Sequence, residues 1–318
     1  KQKTAYEIPK RDWSSDVCSS DLIERDVNYA VVMTTCAGLL ALSVGCAKLD
    51  SGAHAEPSIR VKPAESAVAK VDGGKPATST DGSAAPSSGG AGTFAGRVVF
   101  EGTRPTPGAI FKKGTADKDP SVCSATGDIP KEDIVVSESN GVANVFVFLD
   151  KAPAGFKAVP PTEPVIFDQL NCRFTTHALF AQVGQTVRLL NSDDVLHNTR
   201  CVAARNGTLN NTVGKKDQTG IAVVYKRAER EPFPVKCDLH SWMSAYHLVL
   251  DHPFAAVSDA DGNFKIENLP AGTYQFKVWH ERGDGGKPGL LESKYKVVVK
   301  GGDNPPVEIK TDAKKFGL

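Results

Sequence analysis

No run of lysines and arginines is concentrated anywhere in this 318-residue sequence, and its 38 basic residues nearly cancel against 37 acidic ones, a formal net charge of +1. Nucleic acid is therefore not an expected partner, because a phosphate backbone is held by a basic stripe or patch. Helical patterning is missing too: after Gly92 no stretch keeps apolar residues at helical spacing for three turns. That excludes a helical bundle. Large apolar residues are nearly absent from Lys48 to Ala91, where Ala, Ser, Gly, Pro, Lys and Thr dominate. Such a stretch cannot bury enough surface to offset the entropy of ordering, so 48–91 reads as a disordered tether.

What precedes the tether is not part of a folding domain. Residues 1–22 ("KQKTAYEIPKRDWSSDVCSSDL") back-translate into two ordered pieces that resemble a sequencing adapter, and they are set aside as an artefact. Residues 23–47 read as an export segment. Ala30 to Ala47 ("AVVMTTCAGLLALSVGCA") is apolar, uncharged and ends in small residues. It barely reaches the length of a spanning helix, and its Gly, Ser and Thr suit a signal peptide better than an anchor. "LSVGC" resembles a bacterial lipobox, with Ser43 where Leu is usual, which makes Cys46 the expected lipidation site. The expectation is an exported chain, periplasmic or at the cell surface, that touches membrane only through an N-terminal lipid.

About 225 residues follow, enough for one large or two small cores. Segments such as "GRVVF" (Gly96 to Phe100), "ANVFVFL" (Ala143 to Leu149), "QTVRLLN" (Gln185 to Asn191) and "IAVVYK" (Ile221 to Lys226) are short, β-branched or aromatic, and bounded by turn residues. They predict strands, and the fold class is all-β, a sandwich. A boundary is expected near His252-Pro253, dividing 92–252 from a smaller module at 253–318. In the latter, Gly262, Phe264, Ile266, Leu269, Pro270, Gly272 and Tyr274 resemble the small β-sandwiches called carboxypeptidase regulatory-like domains. This implies a structural or interaction module. The acidic turn "DADGN" is not a calcium loop, since Gly262 comes too early and Pro270 stands where a bidentate Glu belongs.

The chemistry concentrates in two short motifs. "CDLHSWM" (residues 237–243) spaces a thiol, an imidazole and a thioether three residues apart, and "RLLNSDDVLHNTR" places His197 after a strand and a polar turn. Two imidazoles, one thiolate and a weak axial thioether are the donors of a type 1 copper centre, and His197, Cys237, His240 and Met243 supply them. The first motif fits the Cys-x-x-His-x-x-Met loop of amicyanin-like proteins, and "GQTVRLLNSD" resembles the strand entering the first histidine. The span Phe94 to Leu250 thus resembles a cupredoxin of the plastocyanin and amicyanin group. The resemblance implies a Greek-key β-sandwich holding one mononuclear copper. It also implies that Asn198 ties the two ligand loops together and that an exposed edge of His240, flanked by Trp242, meets redox partners such as a c-type cytochrome or another electron carrier. Four protein ligands leave no open position for substrate, which speaks for a carrier and against an enzyme.

Other readings stay open at this stage. Zinc could be held by Cys201 and Cys237 with two histidines. Cys123 and Cys172 pair most simply as a disulfide with Cys201 left over, although connectivity among three thiols cannot be read from sequence. His177, His247, His252 and His280 are expected on the surface or satisfied in the core. A surface-anchored binding or structural β protein, or a copper-handling protein without a redox role, are the alternative functions.

Overall fold

The computed structural model describes residues 90–318. The expectations for 1–22, for the export segment at 23–47 with Cys46, and for nearly all of the tether lie outside the described residues. In chain order come β1 (Ala91–Glu101), β2 (Ala109–Phe111), the short helix α1 (Pro120–Cys123), β3 (Ile129–Pro130), β4 (Phe146–Leu149), β5 (Val165–Phe167), β6 (Ala178–Gln182), β7 (Thr186–Leu189) and β8 (His197–Ala203). They continue as β9 (Gly207–Val213), β10 (Ile221–Val224), β11 (Phe233–Lys236), β12 (Ser244–Leu250), β13 (Ala255–Val257), β14 (Asn263–Pro270), β15 (Gly272–Asp284), β16 (Lys287–Val299), β17 (Gly302–Asp303) and β18 (Val307–Asp312). The protein is an all-β sandwich structure.

Alternation along the strands explains how the sheets face one another. In β1 every second residue is buried, with Phe94, Val98 and Phe100 on the inner face. In β4 all four residues are buried. Val147 and Leu149 enter one core with Phe94, Phe264 and Phe276, while Phe146 and Phe148 enter another with Leu248 and Trp279. β12 behaves the same way from the other side: Ala245 and Val249 join a core with Val187, Val235 and Cys237, whereas Leu248 and Leu250 meet Phe146 and Phe148. An apolar run with no polar alternation is what a strand between two layers needs.

Four sheets result from this, stacked as two sandwiches. The first sandwich sets β14-β1-β17, with β18 also on β1, against β13-β4-β15-β16. The second sets β6-β12-β11-β8-β9 against β10-β7-β5. A third apolar layer, Phe146, Phe148, Leu248, Leu250 and Trp279, joins the sandwiches back to back.

Hydrogen bonding crosses the boundary expected near His252-Pro253. β1 runs antiparallel to β14 and parallel to β18, and β4 is antiparallel to both β13 and β15. Strands before and after that point therefore share the first sandwich, and the second is assembled from strands between Val165 and Leu250. The alternation in β1 says that one face is buried but not which strand covers it. Close approach enforces the pairing: a Cβ on Gly141 would fall 1.8 Å from the Asp261 carbonyl oxygen, so the hairpin turn at Asn140-Gly141 can pack on the turn at Asp261-Gly262 only without a side chain.

Between β1 and β4 the chain leaves the first sandwich and lies over one end of the second. This covering segment carries the two-stranded β2-β3 sheet and α1. It is joined to the second sandwich by the Cys123–Cys172 disulfide and by Phe111 packed edge-on against Trp242, ring centroids 5.0 Å apart.

Candidate metal centre

The turn before β8 is built from its own polar side chains. The Asn191 side-chain amide donates to the carbonyls of Val195 and Gly214, both at 2.8 Å, and its oxygen accepts the Asp193 N–H at 2.9 Å. An asparagine bonding its own backbone two residues on is the usual chemistry of such a turn. Asp193, 3 % exposed, then accepts the backbone N–H groups of Asn171 and Cys172 at 2.7 and 2.8 Å and meets His197 Nε2 at 2.9 Å. Its neighbour Asp194 is exposed.

The second loop joins β11 to β12. Met243 N–H donates to the His240 carbonyl at 2.9 Å and Cys237 N–H to the Met243 carbonyl at 3.3 Å, a tight closure that brings every third side chain inward. Cys237, His240 and Met243 are buried, while Asp238, Leu239 and Ser241 face outward.

Asn198 connects the two loops. Its oxygen accepts the N–H groups of Asp238 and Leu239 at 2.7 and 3.3 Å, and its amide donates to Asp238 Oδ2 at 3.0 Å and Asn210 Oδ1 at 2.8 Å. Its backbone N–H points at Cys237 Sγ from 3.5 Å.

These elements bring three donor atoms together. His197 Nδ1 and His240 Nδ1 are 3.0 Å apart, and each lies 3.9 Å from Cys237 Sγ. Burial opposes ionisation of the Cys237 thiol, but hydrogen bonds from His197, His240 and the Asn198 backbone outweigh it and bring the group down to about 6. For His197, burial works against protonation and is overcome by the Asp193 hydrogen bond and the facing sulfur, so its pKa is raised. Asp193 is lowered: burial pulls the other way and loses to the His197 and backbone N–H bonds.

The distal nitrogens decide what the cluster can hold. Nε2 of His197 faces Asp193 and Nε2 of His240 faces Asp119 Oδ2, both at 2.9 Å. An ionised carboxylate only accepts, so each distal nitrogen carries the hydrogen and, in a neutral ring, each Nδ1 is left with a bare lone pair. Two such lone pairs and a thiolate-forming sulfur then face one point in a buried space, an arrangement that calls for a cation. The donor separations are ones that metal bonds of about 2.0 Å to nitrogen and about 2.3 Å to sulfur can span. Two imidazoles and a thiolate fit a soft, thiolate-binding metal such as copper; Met243 is buried in the same core as Cys237.

Several sequence expectations come out differently at the edges of this site. His240 is 1 % exposed, so the exposed imidazole edge expected to meet partners is covered. Trp242 is only partly exposed and is held beneath the covering segment by Phe111, with its indole N–H donating to the Cys172 carbonyl at 3.1 Å. The physical reason is the insertion between β1 and β4, whose position over this end of the sandwich has no local signature. Zinc bound by Cys201 with Cys237 is also excluded. Cys201 lies four residues along an extended strand from His197, about 13 Å at the usual rise, and bonds the Tyr225 hydroxyl at 3.3 Å. Burial pushes its thiol up to about 11.

Among the described residues, the cysteines and histidines outside the cluster are all buried. Cys123 and Cys172 form a disulfide against the site, within 4.8 Å of His240. His177, His247, His252 and His280 are all buried. His177 Nε2 pairs with Glu281, His247 Nδ1 is hydrogen-bonded to the Tyr225 hydroxyl, and His252 and His280 accept from nearby backbone N–H groups, while His177 Nδ1 and the Nε2 atoms of His247 and His252 are buried without a partner. Asp119 and Asp193 are the site residues that sequence reasoning missed. Asp193 was within reach, being four residues before His197; Asp119 carried no signal.

Fold and donor set together define an all-β protein with a buried His-Cys-His cluster. No family model matches the chain, and no curated protein matches it. Among solved structures it is similar to a methionine-to-alanine mutant of amicyanin with Cu(I), at 21% identity over 30% of this chain and 90% of that one, TM-score 0.25. A reduced Cu(I) form of a proline-to-glycine amicyanin mutant gives 19% identity over 33% and 98%, TM-score 0.25. A copper-containing nitrite reductase from Thermus scotoductus SA-01 gives 18% identity over 31% and 24%, TM-score 0.25.

Proposed function

We propose that this chain is an exported, lipid-tethered copper protein that passes single electrons between protein partners. The observation that carries this reading is the convergence of His197 Nδ1, His240 Nδ1 and Cys237 Sγ within 3.9 Å of one another. His197, Cys237 and His240 would hold one copper, with Met243 as the weak axial donor. Bound there, copper supplies a Cu(II)/Cu(I) couple at a thiolate. The chain's own contribution is to hold the donors in place before and after electron transfer. Asn198 fixes the spacing of the two loops, the carboxylates fix both rings, and the surrounding apolar core excludes water. Four protein donors on the metal would leave no open position for a substrate, so the protein is read as a carrier, not an enzyme.

The partners on this reading are redox proteins, a c-type cytochrome or another carrier, met in the periplasm or at the cell surface. Nucleic acid has no part, and membrane enters only through the lipid on Cys46. The sandwich formed by the two chain ends, with its regulatory-domain-like turns, serves to present the copper-bearing sandwich.

One observation favours a second reading, copper holding without electron transfer: the covering segment leaves His240 only 1 % exposed. Copper-loaded protein should show intense visible absorption from thiolate-to-copper charge transfer, absent in Cys237→Ser, and the matching EPR spectrum. A colourless wild-type protein refutes the proposal. Rapid reduction by a small cytochrome, with copper retained against a chelator, separates the carrier from the copper-holding protein.

A further inference from the structure

Asp119 sits at the N-cap of α1 with φ 48° and ψ 45°, a left-handed conformation, and makes no side-chain cap hydrogen bond. An aspartate at that position ordinarily bonds the free N–H groups of the first turn. Here the carboxylate is directed elsewhere, to His240 Nε2 at 2.9 Å across 121 residues of sequence. Asp193 does the same for His197 from within the second sandwich. Each ring therefore has a carboxylate on its outer nitrogen and the common donor point on its inner one.

We infer that Asp119 and Asp193 are a matched pair of positioning residues for the metal centre, and that the covering segment is part of the metal-holding apparatus because it delivers one of them. The inference rests on the proposed copper reading and adds a direction to it. A carboxylate behind a ligand imidazole fixes the tautomer and raises the donor's basicity. Two such carboxylates favour the more highly charged ion, so they hold Cu(II) better than Cu(I) and lower the reduction potential.

The two members differ in exposure, and that sets their weights. The Asp193 side chain is 3 % exposed and that of Asp119 38 %. Asp193 acts in the drier setting and has the larger effect, but it also anchors the backbone of Asn171 and Cys172. Its removal disturbs the fold. Asp119 is the cleaner handle, since His240 is its only side-chain partner among the described residues.

The test compares wild-type protein, Asp119→Asn, Asp193→Asn and the exposed control Asp194→Asn. Two readouts are taken: the reduction potential of the copper-loaded protein, and the tautomer of His240 by nitrogen NMR of the metal-free protein. The expected result for Asp119→Asn is a retained thiolate–copper band, Cu(II) affinity weakened about tenfold, and a potential raised by about 59 mV if Cu(I) affinity is unchanged. In metal-free protein His240 should lose its fixed Nε2–H tautomer. Asp194→Asn should match wild type. If Asp119→Asn keeps both the wild-type potential and the wild-type tautomer, the inference is overturned while the copper reading stands. If wild-type protein shows no thiolate–copper band, the copper reading and the tuning fall together, and the metal-free tautomer still decides whether Asp119 positions the ring.

Discussion

Removing the Cys123–Cys172 bridge should destabilise the protein far more than losing two buried sulfurs alone would. The bridge closes a loop with a sequence separation of 49. On the chain-entropy relation, −2.1 − 1.5R ln n, cutting a loop of that size returns about 14 cal/mol/K to the unfolded chain, or about 4 kcal/mol at 25 °C. Little of this should be lost to premature local opening, because the covering segment is also docked through Phe111 on Trp242 and Asp119 on His240. For a folded region of this size, 1 kcal/mol moves the unfolding midpoint by about 2–4 °C. Cys123→Ala/Cys172→Ala should therefore melt about 8–16 °C below wild type by calorimetry. Amide exchange across residues 109–130 should quicken in the same variant, since those residues lose their covalent link to the second sandwich. A midpoint within about 3 °C of wild type, with the 109–130 amides still protected, would show that loop closure is not what the bridge contributes.

Two further outcomes follow from the hydrogen bonds and burial around the site. Asn198→Ala leaves the Asp238 and Leu239 N–H groups without their acceptor; at about 1 kcal/mol net for each lost bond it should cost about 2 kcal/mol in urea unfolding and weaken copper binding about 10- to 100-fold, and wild-type values for both would disprove the linking role. His247 and His280 are pushed down by burial to about 3, below the unfolded value of about 6.5. Their stabilisation is complete above pH 6.5 and is lost as pH falls towards 3, about 2 kcal/mol each by pH 5. His177 works in the opposite sense, because burial is outweighed by Glu281 and its pKa is raised. Comparing urea midpoints at pH 7.5 and pH 5 should show a smaller acid loss for His247→Gln than for its parent, and equal losses would contradict a neutral buried ring.

Legibility in the sequence tracks how local each feature is. The Cys-His-Met loop could be read because its three inward side chains lie within seven residues and its closure bonds lie inside the same loop. His197 could be read because the turn before it is held by its own asparagine. Strands such as β1 and β4 were visible as strands, but their position was not: "FVFL" is buried on both faces because one face meets the first sandwich and the other meets β12. Periodicity reports that a face is covered and is silent about what covers it. The same silence hid the pairing of β1 with β14 and β18, strands more than 160 positions away.

Asp119 is the extreme case of this rule. Nothing around it resembles a ligand motif, and its natural local use, capping α1, is the one it does not make. Its contribution depends on tertiary contacts that fold the covering segment over His240: a disulfide across a sequence separation of 49, the Phe111–Trp242 contact, the Glu132–Arg173 ion pair and the burial of Ala116 and Ile129. A donor set can therefore be recognised from short motifs, while the groups that tune it come from parts of the chain joined only by tertiary packing. For the same reason the Cys-His-Met loop read in isolation overstates how open its histidine is. The loop determines which donor atoms converge, and the insertion between β1 and β4 determines what lies behind them.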